Sequence, residues 1–178
     1  MDAKIIGRRR QGKTTLAVWL ATILHPHTIA FDPRNEFDQW GFQPVNSATL
    51  LEWLMALEAG EQVNPRVAYK PVSFDLEEEL NTMVAAIRGS PGPGTSSEWI
   101  DLAVIVDEAN RVQTANRMSS GLDWLERQAP RDDSLDAALY GKRSDLSVLQ
   151  TTHRPFDIHV ASRAVAGHVF IFQTSDPT

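Results

Sequence analysis

At 178 residues, with 42% apolar and 22% charged side chains, the chain can bury one substantial core and has the balance of an ordinary soluble globular protein. It has no cysteine, which excludes disulfides and thiolate metal sites, and no apolar run near the roughly 20 residues that span a bilayer. The net charge of -6 excludes a protein whose whole surface draws in nucleic acid, so any grip on DNA must come from a few local cations.

Met1-Asp2-Ala3-Lys4 passes into Ile5-Ile6 without the features of a signal peptide, so a cytosolic protein is expected. Ala3 to Gly7 reads as a short strand, and Lys13 to Leu24 as a helix stopped at His25-Pro26. Thr28 to Asp32 is a second strand; Ala48 to Ala59, striped by Leu50, Leu51, Leu54 and Leu57, is a helix ended by Gly60. Arg66 to Ser73 follows as a strand, and Leu76 to Arg88 as a helix with an acidic first turn, ending at Gly89. Ser90 to Ser97, SPGPGTSS, reads as a surface loop. Leu102 to Val106 is an unbroken apolar run suited to a strand buried on both faces. Helical stretches at Ser120 to Gln128 and Ser134 to Lys142 are split by Pro130. Leu146 to Thr151 is a further buried strand, Ile158 to Val165 a short helix and His168 to Gln173 a last strand. Strands alternating with helices predict an α/β fold, a mostly parallel central β-sheet flanked by helices, as a single domain over residues 1–178.

Gly7 to Thr14, GRRRQGKT, fits G-x-x-x-x-G-K-T in full, between a strand and a helix. Gly7 and Gly12 let the backbone turn tightly so that the N–H groups of Arg8, Arg9, Arg10, Gln11, Lys13, Thr14 and Thr15 can converge on phosphate, aided by the helix dipole. Lys13 would reach the β- and γ-phosphates and the Thr14 hydroxyl would ligate Mg²⁺. Asp107, at the end of the buried strand 102–106, would hold the same metal, and Glu108 would polarise an attacking water as general base. Use of Asp107-Glu108 merely as a helix cap is the plainer alternative. The strand 146–151 ends in Thr152 and His153, candidates to hydrogen-bond a γ-phosphate. ATP with Mg²⁺ is the expected ligand pair.

Together, GRRRQGKT, FDPRNEF, AVIVDEAN, GKRSDLSVLQTTHRP and VFIFQTSDP resemble the HerA/FtsK superfamily of RecA-like P-loop ATPases over nearly the whole chain. Within it, the sequence is most similar to the genome-packaging ATPases of membrane-containing icosahedral viruses. Thr152-His153-Arg154-Pro155 stands where the family has Thr-Gln-Arg-Pro, so His153 replaces the usual glutamine. The resemblance implies a ring, a pentamer or hexamer, that hydrolyses ATP to translocate double-stranded DNA into a capsid, docking on capsid vertex proteins. It implies localisation in the host cytoplasm or on the virion. It further implies an arginine acting on a neighbour's ATP: Arg143, or alternatively Arg163.

Arg8, Arg9 and Arg10 can neutralise triphosphate, reach across a ring interface, or simply be solvated. The polar segment Asn110 to Ser120, with Arg111 and Arg117, is either a DNA-contacting loop or an ordinary connection. Two rival functions stay open: a small-molecule or nucleoside kinase, and a nucleotide-gated phage assembly factor.

Overall fold

The computed structural model describes residues 1–89, 101–114, 116–129, 146–153, 158–159, 162 and 166–172. Strands β1 (Asp2–Ile6), β2 (His27–Phe31), β3 (Gln43–Val45), β4 (Arg66–Tyr69) and β5 (Leu102–Val106) come first in chain order. A hairpin of β6 (Gln113–Thr114) and β7 (Arg117–Met118), then β8 (Leu146–Thr152) and β9 (His168–Ile171), complete the described strands. The helices are α1 (Lys13–Leu24), α2 (Ser47–Glu58), α3 (Leu76–Gly89) and α4 (Ser120–Gln128). Among the described residues, seven strands form one sheet in the order β3-β4-β2-β5-β8-β1-β9, and every neighbouring pair is parallel. The expected α/β class, a parallel sheet between helices, is the fold observed.

The inner strands β4, β2, β5, β8 and β1 are buried on both faces, which is why β5 reads as a continuous apolar run. Alternate residues go to opposite sides. Ala30, Ala68, Ala103, Ile105 and Leu149 share one cluster with Ala17, Val18, Leu20, Ala21 and Leu24 of α1 and with Phe37 and Phe42. Ile29, Phe31, Val67, Tyr69, Val104, Val106 and Val148 meet the other three helices through residues such as Leu54, Met83 and Leu125. Alanines on both the sheet and α1 bring that helix close, so its first turn stands directly over the strand ends.

Because all the sheet strands run the same way, their C-terminal ends share one edge, where α/β sheets place ligands. β8 lies between β1 and β5, with Ile6 level with Thr152 and Val106 level with Gln150. That order sets the exits of the loop strand and the acidic strand on either side of Thr151 to His153.

Three local expectations change. The strand 66–73 stops at Tyr69, because Val72 and Ser73 give their N–H groups to Glu79 Oε1 (3.2 and 2.7 Å) instead of to a neighbouring strand. Asn110 to Ser120 is not simply a loop: it holds a 3-10 turn, Ala109–Arg111, and the β6-β7 hairpin, anchored by buried Gln113 whose Nε2 donates to Gln150 Oε1 at 2.9 Å. β3 and a 3-10 turn at Phe37–Trp40 had no expected counterpart. The loop 90–97, the helix 134–142, most of the segment 158–165, Arg143, Arg154, Pro155, Arg163 and Gln173 lie outside the described residues. Among the described residues no helix is long and apolar enough to cross a membrane.

Candidate functional site

The loop between β1 and α1 is shaped by two different demands on its glycines. Gly12 sits at φ 82, in the left-handed region that side chains disfavour. Gly7 is needed for space: a Cβ there would lie 2.7 Å from Gln11 Oε1 and 2.8 Å from Phe172 Cβ. Gln11 folds back inside the loop, its Oε1 accepting the Arg8 N–H at 2.6 Å. Arg10 also takes a left-handed conformation, φ 62. No side chain caps the first turn of α1, so its N–H groups and dipole face the cleft and favour an anion.

Lys13 is 7% exposed, and its ammonium donates to the Arg8 carbonyl at 2.8 Å. It also lies 3.3 Å from His153 Nδ1. An ammonium can only donate, so Nδ1 is the acceptor and the ring proton sits on Nε2, which donates to Glu108 Oε1 at 3.0 Å. Burial lowers the Lys13 pKa; Asp107 and Glu108 oppose that fall.

Asp107 Oδ1 accepts from Thr151 at 2.6 Å and from Thr14 at 3.2 Å. Burial raises the Asp107 pKa, and the two hydroxyl bonds pull it back. A carboxylate and a hydroxyl this close form a hard oxygen pair of the kind Mg²⁺ takes alongside phosphate oxygens and water, so the residues fit that ion.

Glu108 adopts φ 51 and ψ 48 and opens the turn 109–111 without any side-chain cap bond, which removes simple capping as its role. Its Oε1 accepts from Arg34 Nη1 at 2.9 Å as well as from His153, and its Oε2 lies 3.6 Å from Arg111. Burial alone would raise its pKa, but the bonds from His153 and Arg34 outweigh it and hold the carboxyl below its ordinary value.

These groups share one cleft of about 760 Å³, lined by Arg9, Arg10, Gly12, Lys13, Thr14, Thr15, Asp107, Glu108, Thr152 and His153 among the expected residues. Gly7, Arg8 and Gln11 build the loop and do not line the cleft. Arg8, Arg9 and Arg10 are all exposed. Arg111 faces Glu108, and Arg117 pairs with Glu77 at 2.9 Å.

Two residues escaped the sequence reading. Arg34 arrives from the exit of β2 because buried Asp32 accepts the N–H groups of Glu36 and Phe37 (3.0 and 3.1 Å) and so folds the turn that carries it. A charged cluster directly after a buried strand was the available signal. Thr151 looked like part of the apolar strand, and only pairing between strands shows that its hydroxyl meets the Asp107 carboxylate and the Glu108 N–H.

The same architecture occurs in solved structures. The genome packaging NTPase B204 from Sulfolobus turreted icosahedral virus 2, in complex with AMPPCP, superposes with a TM-score of 0.58 at 16% identity, over 98% of this chain and 75% of that one. Its complex with ATP-gammaS gives 0.58 at 18% identity, over 99% and 75%. B204, the DNA-packaging ATPase from Sulfolobus Turreted Icosahedral Virus, gives 0.53 at 16% identity, over 99% and 77%. The fold is shared with a viral genome-packaging NTPase. No protein-family model matches the sequence, and no curated protein matches it either. The expected resemblance to packaging ATPases of icosahedral viruses therefore holds at the level of the fold.

Proposed function

We propose that the chain is a Mg²⁺-dependent ATPase that works as a ring and moves double-stranded DNA, packaging a viral genome. The observation that carries this reading is the convergence of Lys13, Thr14, Asp107, Glu108 and His153 on one cleft at the ends of β1, β5 and β8. The shared fold with a genome packaging NTPase supports it.

The triphosphate enters over the first turn of α1, and Lys13 exchanges the Arg8 carbonyl for phosphate oxygens. Thr14 and Asp107 would hold Mg²⁺, which supplies charge neutralisation on the β- and γ-phosphates. Glu108 takes a proton from water as the water oxygen attacks the γ-phosphorus, and ADP leaves as the bridging bond breaks. In the resting structure Arg34 and His153 both donate to Glu108 Oε1, which leaves Oε2, 3.6 Å from Arg111, as the oxygen that takes the proton. His153, lodged between Lys13 and Glu108, is placed to feel phosphate at one ring nitrogen and the base at the other. Arg143, with Arg163 as second choice, is proposed to complete the site of a neighbouring copy. DNA-contacting residues, capsid vertex partners and a host-cytoplasmic or virion location belong to the same proposal.

A second reading has one observation in its favour: the cleft continues past Glu108 to Glu36, Gln39 and Trp40, room for a phosphoryl acceptor as in a small-molecule kinase. Phosphate release without any acceptor separates the two. For the ring motor, turnover per chain rises with protein concentration and with duplex DNA, and Arg143→Ala abolishes turnover while ATP-analogue binding stays. Glu108→Gln lowers turnover by about 100-fold or more, the scale of a lost general base, again with binding kept. Acceptor-dependent release, or turnover indifferent to concentration and DNA, overturns the motor.

A further inference from the structure

We propose that Thr151 is a positioning residue for hydrolysis: its single buried hydroxyl sets the Asp107 carboxylate and locks the backbone turn that aims Glu108. The proposal rests on the ATPase reading above.

Thr151 is 1% exposed, so its hydroxyl has no water to fall back on. Its two bonds have a fixed direction. The Glu108 N–H can only donate, so Thr151 Oγ1 accepts there at 3.0 Å. Its one hydrogen then goes to Asp107 Oδ1 at 2.6 Å, a carboxylate oxygen that accepts. One side chain therefore ties together both members of the acidic pair, from a different strand and 43 to 44 positions away.

The turn needs such a tie. Glu108, at φ 51, lies in the left-handed region, which residues with a Cβ occupy only when their surroundings hold them there. Releasing the Glu108 amide would let the peptide rotate and carry the carboxylate away from Arg34 and His153. The face is set by the pleat: Leu149 packs under α1, so Thr151, two residues on, points to the same side, below the start of that helix and Thr14. Serine would keep the hydroxyl. Valine keeps the shape and loses both bonds, leaving the Glu108 N–H without its buried acceptor.

The test compares the wild type with Thr151→Ser and Thr151→Val in three measurements, ATP turnover, ATP-analogue affinity, and amide hydrogen exchange at Glu108 by NMR without nucleotide, with the melting temperature of each variant as a check on folding. Expected for Thr151→Val is a kcat lowered by about tenfold or more, a KM within about threefold of wild type, and a Glu108 amide that exchanges faster. Thr151→Ser is expected within about threefold of wild type in all three. A Thr151→Val variant with wild-type kcat and a still-protected Glu108 amide overturns the proposal. So does a variant in which kcat, affinity and melting temperature fall together and serine restores none of them, since that assigns Thr151 a structural role only. A wild type that binds ATP but never hydrolyses it overturns the ATPase reading and this proposal with it, whereas an active wild type with an indifferent Val variant overturns this proposal alone.

Discussion

Glu108 Oε1 is already an occupied acceptor in the resting protein, taking hydrogen bonds from Arg34 at 2.9 Å and His153 at 3.0 Å. Two donors on one oxygen explain why a buried carboxyl stays easier to ionise than a free one, although burial by itself pushes the other way. Arg34→Ala removes one of them. The expected result is a Glu108 carboxyl titration displaced to higher pH, read by carbon-13 NMR in the absence of nucleotide. Gly7 offers a second residue-scale test. In Gly7→Ala the new methyl meets Gln11, which can swing aside, and Phe172 Cβ, which is fixed to its backbone. Overpacking of that kind should lower the unfolding free energy by about 1–3 kcal/mol in urea titrations and weaken ATP-analogue binding, because the loop must move. The tight turn at Gly7 and Gly12 and the place of Lys13 at the start of α1 were legible from spacing, since loop geometry is local. Arg34 and Thr151 were not, because the acids they meet stand on another strand, 74 positions from Arg34 and 43 to 44 from Thr151.

At the scale of elements, the boundaries expected for α1, β5 and α4 agree with those observed, Lys13–Leu24, Leu102–Val106 and Ser120–Gln128. Strong periodicity and clear stop signals explain the agreement. The misses are short or edge-placed. β3 is three residues with a proline at its centre, a composition that argues against a strand except at a sheet edge, and β3 is an edge of this sheet. The hairpin of β6 and β7 carries two residues on each side, too few for any periodic signal. α2 starts with a reciprocal cap: Asn46 Oδ1 accepts from Ala48 and Thr49, and Thr49 Oγ1 accepts from Asn46 N–H at 2.9 Å. Asn46→Ala should therefore cost about 1 kcal/mol, seen as a lower melting temperature. Asn46 does not line the cleft, so turnover per folded molecule should be unchanged.

At the scale of the whole molecule, the sheet carries a charged cluster in its interior. Lys4, 1% exposed, pairs with Glu126 of α4 at 2.7 Å and with Asp2 at 2.9 Å, while Asp2 Oδ2 has no hydrogen-bond partner. Burial outweighs the pull of Lys4 and raises the Asp2 pKa from 3.8 to about 6. The sign follows from proton uptake: between those two values the folded protein holds more protons than the unfolded chain, so stability declines as pH rises from about 4 to about 6 and stays lower above it. The decline is up to about 3 kcal/mol for a shift of this size. Asp2→Asn should flatten it, and urea unfolding at pH 4.5 and pH 7 on both proteins checks this. Glu126 also accepts from Gln150, which accepts in turn from Gln113, so the cluster links β1, β8, α4 and the hairpin into one buried network.

The sequence by itself determined the pieces whose physics is local: the tight loop from Gly7 to Thr14, the acidic pair at the end of an apolar run, and the alternation of strands and helices that calls for a parallel sheet. Only the tertiary structure decided which pieces meet. Setting β8 between β1 and β5 brings His153 to Lys13 across 140 positions and Thr151 to Asp107 across 44, while the turn after β2 brings Arg34 to Glu108 across 74. Strand order is chosen by how whole faces of the sheet bury against α1 on one side and α2, α3 and α4 on the other. No window of local periodicity contains that choice, and it is what turns separate charged residues into one site.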